Sequence, residues 1–283
     1  FGEWLIPSEE KGITQKEACE RSAFYTAPIF GYLSVKCMAE IAEVLQKPEK
    51  AYYSRTAGQM KAAIQTALIC DGELRSQNMG AYVLMIAFDL VPEHCKEHFA
   101  QKLISLLDSH HGCLDTGFLA TPFLPDAFVK IGRRDLAIKL LWQTRMPSWL
   151  YEVEQGATSV WESWDAITPG SEPRITSYNH YAFGCVDAWI FENIAGIRAL
   201  EPGFRRVEIA PDPDGVPLEY CRRSFRCEYG DLLVFWDRQT LRVSIPCGVR
   251  AIIRWQGALH EVGSGEYTFT KSQTGGAQNE RTG

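Results

Sequence analysis

Apolar residues in the first two-thirds of the chain recur at three- and four-residue steps, the spacing of helices with one buried face. Phe30, Leu33, Cys37, Ile41 and Val44 mark one such face, and Thr14 and Glu17 ahead of it are suited to a capping box. Pro28 should kink or divide that helix, because it lacks an N–H and crowds the preceding turn. Further helices are predicted over roughly 48–69, 77–90, 93–109, 117–131 and 133–144, joined by polar turns such as Lys47-Pro48 and Gly132-Arg133. Phe183, Val186, Ile190 and Ile194 mark one more. Seven helices with short connections predict antiparallel hairpins in a layer or ring.

Past Leu200 the period drops to two. Leu241, Val243 and Ile245 alternate with Arg242 and Ser244, and Tyr267 and Phe269 alternate with Thr268 and Thr270. Turn residues at Pro211 to Gly215, Gly230-Asp231, Cys247-Gly248 and Gly263 to Gly265 separate short strands, which predicts a small antiparallel β-sandwich. The expected organisation is therefore mainly α, with a helical region over 1–200 and a β-sandwich over 201–271 beyond a Glu-Pro-Gly junction. The polar, Gly-rich stretch 272–283 reads as a disordered tail.

Composition narrows the partners. The chain has 283 residues, 46% apolar and 23% charged, enough for a substantial core. A net charge of -6 without a run of Lys or Arg gives no footprint for nucleic acid. No apolar run approaches the ~18 residues that span a bilayer, so no membrane partner is expected. Nine cysteines without CxxC pairs argue against a disulfide framework and a zinc knuckle, and favour, weakly, a cytoplasmic setting. The chain starts at Phe1 inside a motif, so the true N-terminus, with any signal peptide, is expected upstream. An assembly of like subunits is left open.

The candidate chemistry lies between Pro147 and Gly184, where three tryptophans, several carboxylates and a histidine share a segment too irregular for one helix. Aromatic faces stack on sugar rings, while carboxylates take hydroxyls and move protons at a glycosidic bond. Glu162, between Trp161 and Trp164, is the first candidate for a catalytic carboxylate; a solvent-facing loop glutamate is the equally open alternative. His180 could hold a sugar hydroxyl or a water, or be structural, and Asn179 is suited to a helix N-cap. On pattern alone Trp4 is a packing residue. Asp165, Glu152, Glu154 and Asp115 complete the carboxylates, and His94 and His98 read as a solvated helix face, not a metal site. No metal or cofactor is expected.

Four motifs in order, GEWL (Gly2 to Leu5), LDTGFLATPF (Leu114 to Phe123), PSWLYEVEQGATSVWESWD (Pro147 to Asp165) and SYNHYAFG (Ser177 to Gly184), resemble glycoside hydrolase family 78, the bacterial α-L-rhamnosidases. The tail from Pro202 onward resembles that family's terminal β-domain. The resemblance implies an (α/α)6 toroid of twelve helices, of which seven would be only a part. It implies that Glu162, in a WERWD-like motif, is the general base of an inverting hydrolysis, although Ser163 replaces the common arginine. It also implies that His180 lies at the substrate site and that Trp4, with Trp149 and Trp164 as further candidates, walls the pocket of a rhamnose-containing glycan or glycoside. The family's general acid comes from a DERxGW-like motif upstream of the GDWL-like segment, and no such run occurs in these residues. Another toroid glycosidase and a non-catalytic glycan-binding remnant remain the alternatives.

Overall fold

Thr14 starts the first helix as its spacing predicts. In α1 (Gln15–Val44) the Thr14 hydroxyl accepts the Glu17 amide, and the Glu17 carboxylate takes the Thr14 N–H, which closes the capping box. Pro28 does not divide the helix, since Tyr25, Ile29 and Tyr32 on both sides of it are buried and hold both halves on one core. The buried face, Ala18, Ser22, Tyr25, Ile29 and Tyr32, lies beside the predicted one. Ile41 and Val44 are 50% and 80% exposed.

The computed structural model describes residues 2–8, 13–271 and 279–281, and contacts divide the chain into two units, Phe1–Cys185 and Val186–Gly283. In the first, α2 (Lys50–Leu68) packs along α1 and ends in a small hairpin, β1 (Ile69–Cys70) and β2 (Glu73–Leu74). The central α3 (Met79–Ala87) is apolar on every side and buried from Met79 to Ile86, as a helix enclosed by its neighbours must be. Against it pack α1, α4 (Lys96–Ser109) and α5 (Leu124–Lys130), and α6 (Arg134–Leu141) packs on α5. The helix predicted from 117 starts late, because residues 117–120 form a turn instead. A short α7 (Trp149–Glu154), capped by the Ser148 hydroxyl, was not apparent in the sequence. The helix predicted around 183–194 is split into a 3-10 turn (Ala182–Cys185), α8 (Val186–Trp189) and a π turn (Ile190–Ile194).

Two glutamates are enclosed within the first unit. Glu3 and Glu152 are 1% and 3% exposed. The Glu3 Oε2 accepts the Leu119 amide at 2.8 Å, and the Glu152 Oε2 accepts the Trp161 amide at 3.2 Å. The other oxygen of each has no hydrogen-bond partner among the described residues. Burial raises the pKa of Glu3 from 4.5 to about 8 against the pull of nearby amides. It raises that of Glu152 from 4.5 to about 7, with the Trp161 amide opposing.

The second unit consists of two sheets. One has the order β11 (Asn279–Arg281), β10 (Gly265–Thr270), β7 (Thr240–Ile245), β6 (Gly230–Asp237) and β5 (Tyr220–Cys227), all antiparallel. The other runs β3 (Ile197–Ala199), β4 (Arg206–Ile209), β8 (Arg250–Trp255), β9 (Ala258–Val262). Within it β4 and β8 are parallel, a pairing that requires a long excursion; the chain spends it on β5 to β7 in the other sheet. Alternate residues Leu232, Val234 and Trp236, Leu241, Val243 and Ile245, and Ala251, Ile253 and Trp255 are buried. The Trp236 indole donates to the Ile194 carbonyl at 2.7 Å, which fixes the π turn to β6. The Glu201-Pro202-Gly203 junction is a turn between β3 and β4, inside this unit. Of the predicted tail, 272–278 and 282–283 lie outside the described residues, and Asn279–Arg281 pairs with β10.

Both buried carboxyls bind their protons more tightly folded than unfolded, so the unfolded chain binds fewer protons between the two pKa values and stability falls with rising pH. Their contribution is complete below 4.5 and is lost as pH passes about 7 for Glu152 and about 8 for Glu3. Urea midpoints should decline from pH 5 to 9, and Glu3→Gln with Glu152→Gln should flatten that decline. In the second unit, Trp236→Phe keeps most of the packing but orphans the Ile194 carbonyl, and should cost about 2 to 4 kcal/mol in chemical denaturation.

Candidate active site

The segment from Gln155 to Tyr181 has little regular structure, so its backbone groups must find partners by other means. Two stretches supply them to each other. The His180 amide donates to the Val160 carbonyl at 2.8 Å, and the Glu162 amide donates to the Ser177 carbonyl at 2.9 Å. The Ser159 hydroxyl adds a bond to the Tyr178 carbonyl at 2.6 Å. From the other side the Trp161 amide is taken by Glu152 on α7. Residues 160–162 are thus held by pairing on one side and by a buried carboxyl on the other.

The clamp presents Glu162. Its Oε2 accepts the Ser177 amide at 3.0 Å and the Thr176 hydroxyl at 3.1 Å. The Ser177 amide is the largest cause holding its pKa below the ordinary value, with Thr176, the charge of His180 and the Trp4 indole acting in the same direction. Glu162 is therefore a carboxylate at neutral pH, in contrast to its buried neighbours Glu3 and Glu152. His180 accepts the Ala182 amide on Nδ1 at 3.3 Å, so in the neutral ring the proton sits on Nε2. One face of the ring lies on Phe118, with centroids 5.0 Å apart.

Trp4, Glu162 and His180 are thus brought together, and each is half-buried. Trp149 and Trp164 are placed differently. They are 8% and 4% exposed. Trp164 stacks on Phe183 at 4.1 Å and meets Trp149 edge-on at 5.5 Å, while the Trp149 indole donates to the Phe183 carbonyl. An edge of Trp164 contributes to a cleft of about 450 Å³ with Ser163, Asp165, Arg174, Pro7 and Met146, a lining that does not include Glu162. Phe118 is the contact that sequence reasoning missed. Its only signal was its place in the motif Leu114 to Phe123.

Asp115 and Asp165 are committed elsewhere, and Glu154 is exposed at the end of α7. Asp115 is 5% exposed and takes both the amide and the hydroxyl of Ser8 at 2.8 Å, with His110 Nε2 at 3.3 Å. Asp165 pairs with Arg174 and accepts the Ser163 hydroxyl at 2.6 Å. Ser163 thus joins Arg174 in contacting Asp165, at the position where the resemblance leads one to expect an arginine. His98 pairs with Glu73 at 2.8 Å on the surface, and no cluster of three or more metal-binding side chains occurs among the described residues.

Comparison with known proteins identifies the family. Residues 1–194 match the bacterial α-L-rhamnosidase six-hairpin glycosidase domain, and residues 196–265 match the bacterial α-L-rhamnosidase C-terminal domain. An α-L-rhamnosidase of Streptomyces avermitilis is 33% identical over 95% of this chain and 28% of its own length. One from Formosa agariphila is 35% identical over 84% of this chain and 26% of its own. The crystal structure of the Streptomyces avermitilis α-L-rhamnosidase complexed with L-rhamnose superposes with a TM-score of 0.84 at 30% identity, covering 96% of this chain and 28% of that one. The chain thus spans about a quarter of the length of the curated relatives it matches. With both domain models matched in order, the chain belongs to the bacterial α-L-rhamnosidase family.

Proposed function

We propose that this chain is the base-bearing part of an enzyme that hydrolyses terminal α-L-rhamnosyl linkages with inversion. The observation that carries the reading is the state of Glu162. It is half-buried, ionised, and within reach of both an indole donor and an imidazole. A group held below its ordinary pKa cannot serve as a general acid near neutrality, but it can accept a proton from a water attacking the anomeric carbon. With its proton on Nε2, His180 can donate to that water or to a sugar hydroxyl, and Trp4 can present an apolar surface to the C6 methyl of rhamnose.

Inversion needs a second carboxyl about 6.5 to 9.5 Å away across the sugar, this one protonated. None of the alternatives here suits the task. Glu3 holds a proton but is enclosed, Asp165 is paired with Arg174, and Asp115 is buried against Ser8 and His110. We assign the acid to residues outside these 283.

In the longer protein, Glu162→Gln preserves size and accepts the Ser177 amide but cannot take a proton. Its kcat on p-nitrophenyl α-L-rhamnoside should fall at least about a hundredfold with KM little changed. Near-normal kcat would remove Glu162 from the mechanism. Proton NMR of the first-formed sugar should show the anomer opposite to the substrate's, as a single displacement requires. A product of retained configuration would exclude a single displacement by water and make Glu162 a base only if another group were the nucleophile.

A further inference from the structure

The reading above uses Trp4, Glu162 and His180 and leaves Glu3 without a task, although it is among the most enclosed charged side chains of the first unit. A buried carboxyl with one unbonded oxygen is costly, so its retention calls for a cause. Its surroundings supply one. The Gly2 amide donates to Cys19 Sγ at 3.0 Å, and the Glu3 amide donates to the Ser22 hydroxyl at 2.7 Å; both partners are on α1. The next residue is Trp4, whose carbonyl accepts the Phe118 amide at 3.0 Å. The Glu3 side chain then reaches the same turn and accepts the Leu119 amide at 2.8 Å. Side chain and backbone of the consecutive residues Glu3 and Trp4 therefore grip the consecutive amides of Leu119 and Phe118, and Phe118 carries the ring on which His180 lies.

The turn and helix are shaped to receive this side chain. A Cβ on Gly117 would lie 2.8 Å from Glu3 Oε2 and 2.3 Å from the Trp4 carbonyl oxygen, and a Cβ on Gly80 would lie 2.7 Å from Glu3 Oε1. Gly80 is in the second position of α3, where alanine would be the better helix former. Two glycines thus leave room for one carboxyl.

We infer that Glu3 is a positioning residue: by holding the 117–119 turn it sets Trp4 against Glu162 and Phe118 beneath His180. It touches no substrate in this assignment, which rests on the reading of that group as the hydrolytic site. Because Glu3 is neutral near pH 7, its hydrogen-bond geometry matters and its charge does not, so glutamine should replace it and alanine should not.

The test has two arms. In this chain without any sugar, NMR resonances of the His180 ring and the Trp4 indole N–H should shift in Glu3→Ala, His180 moving downfield as it loses the Phe118 ring. Those of His98 and His260 should stay in place. Glu3→Gln should leave all four where they are. Gly80→Ala, which displaces the carboxyl without altering it, should shift the same two resonances, and it decides the matter if Glu3→Ala does not fold. In the longer protein, Glu3→Ala should lower kcat/KM on p-nitrophenyl α-L-rhamnoside on the order of ten- to a hundredfold, as small misplacements of reacting groups do, and Glu3→Gln should restore most of it. Unmoved His180 and Trp4 resonances in Gly80→Ala and in folded Glu3→Ala would overturn the assignment, as would a Glu3→Gln variant as impaired as the alanine. A longer protein inactive on rhamnosides would instead overturn the hydrolytic reading and leave the resonances to judge Glu3.

Discussion

The site depends on a pairing of two irregular stretches: Val160 to Glu162 against Ser177 to His180. Neither stretch is a strand, yet between them they exchange the bonds a short ladder would. This brings two residues 18 positions apart, Glu162 and His180, to one place, and makes the backbone at 177 a donor to the Glu162 side chain. Remove the pairing and the carboxylate loses its neighbour together with its strongest stabilising hydrogen bond. Helices could not do this as economically, because adjacent side chains on a helix diverge. A loop can fold back on itself and converge.

Environment then sorts chemically identical groups into different roles. Three glutamates lie around this one region, and their protonation follows from what surrounds them. Glu162 meets an amide, a hydroxyl, an imidazole and an indole, and is held ionised. Burial outweighs the amides around Glu3 and the Trp161 amide at Glu152, and the two keep their protons to about 8 and about 7. The separation leaves a charged group where solvent and a sugar can reach it and neutral ones where they serve as struts.

Much of this was legible in the sequence, in proportion to how local each cause was. The capping box of α1, most helices and the strand alternation past Leu200 follow from near-neighbour spacing, and they are present. Glu162, His180 and Trp4 stood out through motif and composition, and the structure places them together. The errors arise where distant contacts decide. Pro28 is tolerated because the core holds both halves of α1, and the start of α5 is delayed by a turn gripped from residue 3. Trp149 and Trp164, further candidates for the pocket wall, meet each other edge-on, and Trp164 stacks on Phe183, contacts that the sequence did not show. Phe118 gave no sign of its position beneath His180, since only the folded chain brings it there.

The enclosure formed by Gly80, Gly117 and Glu3 has a consequence for descent within the family. The three positions share one volume, so neither glycine can gain a side chain alone: a methyl group at 80 or 117 would meet the carboxyl below 3 Å. A lineage that acquires alanine at 80 must first shorten or remove the acid at 3, whereas alanine at 117 would still meet the Trp4 carbonyl oxygen at 2.3 Å, so that glycine must stay whatever stands at 3. Changes at 3 and 80 should appear together on the same branches of a family tree, in that order, although the two positions stand 77 residues apart in the chain.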